Sequence, residues 1–420
     1  MNVAAIAPDV DLSKVSALGE SLLTELDRLR EFDPIHWSPA TGAWLVTRHA
    51  DIVRAFSGEL PLSVNPARRT TFAVLPPEEL QKRVPTLLTY LAKWIVSNDP
   101  PVHTRMRKLL VKAFSKKVVE SVRPYVQARV AQLLGDTAPN EPLEFVEGIA
   151  RQLPGGVILK LMGLPQEYLP RLKSWANAFQ AGLASSRPEI KWLEAADQAM
   201  IEMNEIFCKA IAEHRVNPRE DLLTSLIEAT EDGESLSEDE MLAALSLILV
   251  AGHDTTHNSM TLGLVALGRS PQNWRYMYEH PDRTLNCVNE IMRLSAMSAA
   301  LPRVATEDFE WHGKTIRAGD PLYLMQAAGN RDPRVYAHAD RLDLDRDNSQ
   351  SLVFAPGLHH CVGHLLAKMQ LTEFFGALVQ RFEGVEFLDP ALDFMPQIVF
   401  RGLYKLNIRL KPRVDGLLPS

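Results

Sequence analysis

Cys361 is the residue of this chain best placed to do chemistry. It stands in Phe354-Ala-Pro-Gly-Leu-His-His-Cys-Val-Gly-His-Leu-Leu-Ala367, between an irregular stretch and an amphipathic helix expected over Val362–Phe382. A cysteine just ahead of a helix N-terminus gains from backbone N–H groups and the helix dipole, which favour the thiolate. Gly357 and Gly363 on either side allow a turn and the close approach of a flat ligand. Leu365, Leu366, Met369, Leu378 and Phe382 form the expected apolar stripe of the following helix, with Gly384 placed to close it.

A lone cysteine is ordinarily a small buried hydrophobe, and Cys208 and Cys287 are read that way. Zinc is a weak alternative at Cys361 despite His359, His360 and His364, because no second cysteine pair accompanies them. A thiolate axial ligand to heme iron needs only one cysteine.

The second constellation is Ala251-Gly-His-Asp-Thr-Thr-His-Asn-Ser259. Asp254 and Thr255 supply an acid and a hydroxyl side by side, as a proton relay requires. Ala251 and Gly252 would let a flat group approach the backbone. The plain alternatives are a polar face turned to solvent for Asp254 and His257, and back-bonding to a carbonyl for Thr255.

Something must hold these groups in place. Ser237-Glu-Asp-Glu240 reads as a capping box opening a helix that continues to Ser270-Pro271, roughly 34 residues or 50 Å long. So long an apolar helix should cross the protein's centre. Helical spacing also marks Val118–Leu134, Pro170–Leu183, Trp192–Ala212, Asp221–Ala229 and Asn286–Leu294, while Ala43–Thr47, Thr315–Met325 and Lys405–Leu410 look strand-like. Arg331–Asn348 has neither period, and so long a loop suggests a purpose.

The 420 residues, 46% hydrophobic and 23% charged, can bury a large core. No linker or repeat divides them, so one domain over 1–420 is expected, helix-rich with a small β-rich N-terminal region. A net charge of −7 argues against general nucleic-acid binding. Three cysteines make no disulfide framework, which fits a reducing cytoplasm. The start, Met1 to Asp9, lacks signal-peptide features, and the longest apolar run, Met241–Ala251, is far short of the roughly 20 residues of a membrane span. A soluble protein without a membrane anchor is expected.

Nearly end to end, the sequence resembles the soluble bacterial cytochrome P-450 family. Phe354, Gly357, His359, Cys361, Gly363 and Ala367 match that family's cysteine signature, although Ala355 stands where the family usually has glycine. Glu290-Ile-Met-Arg293 matches its Glu-x-x-Arg helix motif, and Ala251–Thr256 its oxygen-activation motif. The resemblance implies a mainly α fold with small β-sheets, an α+β architecture with heme b between the central helix and the cysteine loop. It makes Cys361 the iron ligand, with Thr255 hydrogen-bonding dioxygen and Asp254 relaying protons. His103, Arg107, Arg303 and His359 would meet the heme propionates, which suits the chemistry of arginine. Glu290 and Arg293 would form a buried structural pair joined by Arg341, in a segment lacking the usual Pro and Phe.

The resemblance implies by position that Val96, Leu247, Val250, Ala251, Thr255, Ser298, Ala299, Leu301, Ile398 and Val399 line the substrate pocket, with further contributions from the Thr70–Tyr90 loop and from Phe179–Leu183. These side chains are small or aliphatic, which suggests an apolar terpenoid, steroid-like or polyketide substrate for hydroxylation or epoxidation. Electrons from NAD(P)H would arrive through a separate ferredoxin or flavodoxin, the enzyme itself being a monomer. Arg105, Lys108, Lys112, Lys116, Lys117 and Lys368 offer a basic docking patch, or a plain solvated face. A peroxide-driven peroxygenase, another heme-thiolate reaction class, and a non-catalytic heme or ligand carrier are the competing readings.

Overall fold

The computed structural model describes residues 9–65, 75–184 and 189–413. Its centre is one long helix, Glu238–Gly268. The capping box forms as expected, with Ser237 accepting from the Glu240 N–H and the Glu240 carboxylate accepting from the Ser237 N–H at 2.9 Å. At the other end Ser270 caps the next helix, Pro271–Glu279, so the Ser-Pro pair sets the boundary. The central helix packs against helices Pro85–Lys93, Gln152–Leu161, Leu169–Phe179, Ile190–Val216, Thr284–Ser295 and His364–Arg381. It is therefore surrounded by protein, as its apolar circumference requires. Among the described residues no helix is long and apolar enough to cross a membrane.

Small sheets flank this helical body. Strands β1 (Ile35–Ser38), β2 (Ala43–Val46), β3 (Leu62–Ser63), β5 (Leu301–Ala305) and β8 (Pro321–Leu324) form one sheet in the order β1-β2-β8-β5-β3. β4 (Pro142–Glu144), β9 (Phe382–Phe387) and β10 (Asn407–Pro412) form a second, and β6 (Phe309–Trp311) pairs with β7 (Lys314–Ile316) in a hairpin. The first sheet has its own core of Ile35, Val46, Phe56, Trp311 and Leu352, into which Ala355 of the cysteine loop also packs.

Several expected boundaries move. The single helix read over Val118–Leu134 is two, Lys116–Ser121 and Arg123–Gly135, because Pro124 has no N–H to carry the first through and sits instead in the opening turn of the second. The helix expected over Pro170–Leu183 is regular only over Leu169–Phe179 and widens into a π-type turn at Gln180–Ala184. The strand-like run Thr315–Met325 is split by a turn in which Gly319 takes φ +89° and Asp320 accepts from the Arg317 N–H. Leu365 is not part of the apolar stripe: it is 40% exposed, whereas Leu366, Met369 and Leu378 are buried. Gly384 closes no helix either, since Phe382 turns extended and leads straight into β9. Arg331–Asn348 is irregular, as expected.

Candidate functional site

The cysteine loop is a tight, backbone-bonded turn. The Cys361 N–H donates to the Phe354 carbonyl at 2.9 Å, and the His360 N–H donates to Gly357 at 3.1 Å. Gly357 takes φ +93°, and a Cβ there would run into the Phe56 carbonyl. The loop is thereby pinned against the end of helix His49–Ser57. Gly363 caps helix His364–Arg381, with open space where a Cβ would be. Phe354 packs into the main core and carries Lys368 5.4 Å from its ring centre.

Ala355 adopts φ +52°, a left-handed conformation that glycine tolerates and alanine resists. Holding a non-glycine residue there costs on the order of 1–3 kcal/mol, of which glycine's greater freedom in the unfolded chain returns part. Ala355→Gly is therefore expected to stabilise the protein by about 1 kcal/mol, read as a higher urea midpoint at unchanged slope. An unchanged or lower midpoint would show that the loop carries no strain.

Cys361 lies deep in the protein, yet its surface is open to interior space. Burial pushes its thiol above the usual range, against the opposing effects of the Gly363 N–H and the nearby Arg107 charge. A metal ion bound at the sulfur would favour the thiolate, as ligation does for thiols generally.

Four nitrogen-rich side chains gather beside the loop. The His103 and His359 rings lie 4.1 Å apart, and Arg107 donates to the His360 carbonyl at 2.7 Å. Arg303 is buried over the Phe56 ring, and burial brings its guanidinium down to about 10. Burial and the neighbouring cations push His359 down to about 3. Both ring nitrogens of His103 are buried without a partner. Among the described residues no carboxylate forms an ion pair with Arg107 or Arg303. Buried cations and orphaned imidazoles of this kind call for an anion from outside the chain. Two propionates beside a sulfur ligand answer that demand, so the residues fit heme.

On the central helix, Ala251, Gly252, Asp254 and Thr255 follow one another within little more than a turn. Ala251 is exposed although its helix is walled in by six others, so it too faces interior space. Gly252 admits close packing by Ile158, which would lie 3.0 Å from a Cβ. Burial raises the Asp254 carboxyl to about 7, against the opposing charge of Arg151. The Thr255 hydroxyl donates to the Ala251 carbonyl at 2.6 Å, so the back-bonding alternative is realised while its oxygen still has lone pairs to offer. His253 and His257, one turn apart, are buried beside Asp254. The His-Asp-x-x-His spacing carries that grouping, which the motif reading does not single out.

Glu290 and Arg293 are wholly buried and paired through two bonds, at 2.7 and 2.8 Å. The third member is Arg346, not Arg341. The Arg346 guanidinium reaches Glu290 at 3.0 Å, while Arg341 offers only its main-chain carbonyl, which accepts from Arg293 at 3.2 Å. Arg293 also donates to the Asn330 and Ala339 carbonyls. The irregular segment thus satisfies the ion pair largely through its backbone, which fixes the path into the cysteine loop.

The proposed pocket residues scatter. Leu247 and Val250 are half-buried on the central helix, Leu301 begins β5, and Ile398 and Val399 are half-buried in the turn that faces it. Val96, in the short turn after helix Pro85–Lys93, is 36% exposed. Ala299, 1% exposed, belongs instead to a small core with Leu26, Leu45 and Met325, and Ser298 spends its hydroxyl on Gln326. Thr70 to Val74, the start of the loop expected to contribute, lie outside the described residues.

Five of the six basic residues make contacts of their own, and Lys116 stays exposed. Arg105 pairs with Glu240 and Glu234, Lys108 and Lys112 with Glu231, and Lys117 with Glu220, while Lys368 is half-buried over Phe354. An acidic turn, Glu231–Glu234, lies beside Arg105, Lys108 and Lys112, which keep much of their surface exposed. Of the other cysteines, Cys287 is buried as expected, whereas Cys208 is exposed on helix Ile190–Val216.

Residues 184–389 match the cytochrome P-450 family model. The chain is 34% identical to a mycinamicin IV hydroxylase/epoxidase of Micromonospora griseorubida over 87% of this chain and 89% of that protein. It is 29% identical to the polyketide biosynthesis cytochrome P-450 PksS of Bacillus subtilis, over 92% of this chain and 95% of that one. The solved structure of an epothilone D-bound cytochrome P-450 superposes with a TM-score of 0.84 at 27% identity, covering 96% of this chain and 99% of that one.

Proposed function

The chain belongs to the cytochrome P-450 family, and on that premise we propose that it inserts one oxygen atom of O2 into an apolar, polyketide-like small molecule, with electrons from a separate ferredoxin or flavodoxin. Heme bound through Cys361 supplies the activation of dioxygen, and its thiolate ligand favours O–O cleavage.

This chain's residues would do the rest. Arg107 and Arg303 would neutralise the propionates, and the neutral His103 and His359 rings would hydrogen-bond to them and orient the ring. The observation that carries the reading is the half-buried Asp254 carboxyl, raised to about 7 by burial, next along the helix to Thr255, whose hydroxyl is held on the Ala251 carbonyl. A proton donor works best when its pKa lies near the working pH, so Asp254 can both hold and release a proton there. Thr255 accepts a hydrogen bond from whatever that proton reaches, while its own hydrogen stays anchored to Ala251.

Leu247, Val250 and Ala251 offer aliphatic surface to a substrate. None of the pocket residues named above is charged, which favours an apolar molecule. The relatives' names point the same way: one acts on mycinamicin IV, another serves polyketide biosynthesis, and a third binds epothilone D. The test is turnover of a polyketide panel under 18O2 with NAD(P)H, reductase and ferredoxin. One labelled oxygen per product, with little product from peroxide alone, is the expected result. Equal product from peroxide without electrons would overturn the reading in favour of a peroxygenase.

A further inference from the structure

We propose that His253, Asp254 and His257 form a binding site for one divalent transition-metal ion of the zinc type, whose occupation withdraws Asp254 from proton transfer. One donor atom from each residue lies within 4.8 Å of the other two. The spacing His-Asp-x-x-His puts both imidazoles on one helical face, the arrangement by which helices present paired histidines to zinc. The ring centres are 5.3 Å apart.

The donors are prepared for a metal. His257 Nδ1 lies 3.2 Å from the His253 carbonyl, and since a carbonyl only accepts, Nδ1 carries the hydrogen and Nε2 presents a bare lone pair. A backbone carbonyl fixing the tautomer in this way is the usual support of a ligating histidine. His257 is 0% and His253 1% exposed, and His257 Nε2 and His253 Nδ1 are both buried without a partner. Orphaned nitrogens at that depth cost free energy until something occupies them.

Asp254, ionised when a metal displaces its proton, supplies the negative charge. Arg151 and Lys173 are the cations that face the cluster. Both are engaged by Glu147, at 2.7 and 3.7 Å, which offsets their repulsion of a metal. Soft imidazoles with a single carboxylate favour zinc over magnesium or calcium. The binding site stands on its own geometry, whereas the effect on turnover rests on the role assigned to Asp254 above.

The test is equilibrium dialysis of heme-loaded enzyme against Zn2+, with bound zinc measured by atomic absorption. One zinc per chain is expected, with a higher unfolding temperature and slower turnover. His257→Asn and His253→Asn should each weaken zinc binding by more than roughly 100-fold, beyond the 10- to 100-fold that losing a hydrogen bond to a ligand costs. If one variant fails to take up heme, the other, a turn away, carries the comparison. No bound zinc in the wild type, or zinc held equally by both variants, would overturn the proposal. Zinc bound at this site without slower turnover would leave the site standing and remove Asp254 from proton delivery.

Discussion

Replacing Asp254 by Asn should lower substrate hydroxylation by about 10²- to 10⁴-fold, the usual worth of a positioned proton donor, while leaving heme uptake and substrate affinity near those of the wild type. The side chain keeps its shape but loses the exchangeable carboxyl proton. The surroundings favour this outcome. The carboxyl is largely shielded, with 17% of its side chain exposed, its surroundings hold its pKa near 7, and Arg151 is the charge that opposes the shift. Stopped-flow turnover with NAD(P)H and partner proteins, in chelator-treated buffer, reads the rate, and a substrate-induced shift of the heme band reads the affinity. A variant turning over at the wild-type rate would mean that protons reach the site by another path. One that lost heme would mean that Asp254 is structural.

The second large effect concerns the fold. Glu290→Ala removes the single acid between Arg293 and Arg346, both buried. Breaking a buried pair from one side costs about 3–5 kcal/mol, because the remaining charge has no water to turn to. That is a large share of the roughly 5–15 kcal/mol by which domains are stable. Urea unfolding should show the loss, together with poor heme retention, since the same segment leads into the cysteine loop. Arg341→Ala should be close to neutral, because only its carbonyl is used, while Arg346→Ala should cost about 1–3 kcal/mol for an unsatisfied partner. Reversed costs at 341 and 346 would contradict the assignment.

What the sequence revealed follows from the range of each interaction. The cysteine loop was legible because its requirements are local: a glycine at 357 where a Cβ would meet Phe56, and an unusual alanine at 355 that does adopt positive φ. The central helix was legible because Ser237 and Glu240 announce its start and Ser270-Pro271 its end. Pro124 divides the helix that periodicity alone joins over 118–134, because a missing N–H outweighs an apolar stripe. Arg346 was out of reach, since an irregular segment carries no period from which to compute which arginine turns inward. The ion-pair partners of the basic residues were hidden for a similar reason. Lys108 and Lys112 look free until Glu231, over a hundred residues later, is placed against them. Ala299 sits among apolar neighbours like any pocket residue, and only the packing shows that those neighbours are core.

The account depends most directly on sulfur from Cys361 binding porphyrin iron. The decisive measurement is the absorption spectrum of heme-loaded protein, reduced and exposed to carbon monoxide, for the wild type and for Cys361→Ala. A strongly red-shifted band in the wild type that disappears in the variant is the predicted result. No such band in the wild type, or one that persists without the sulfur, would contradict it.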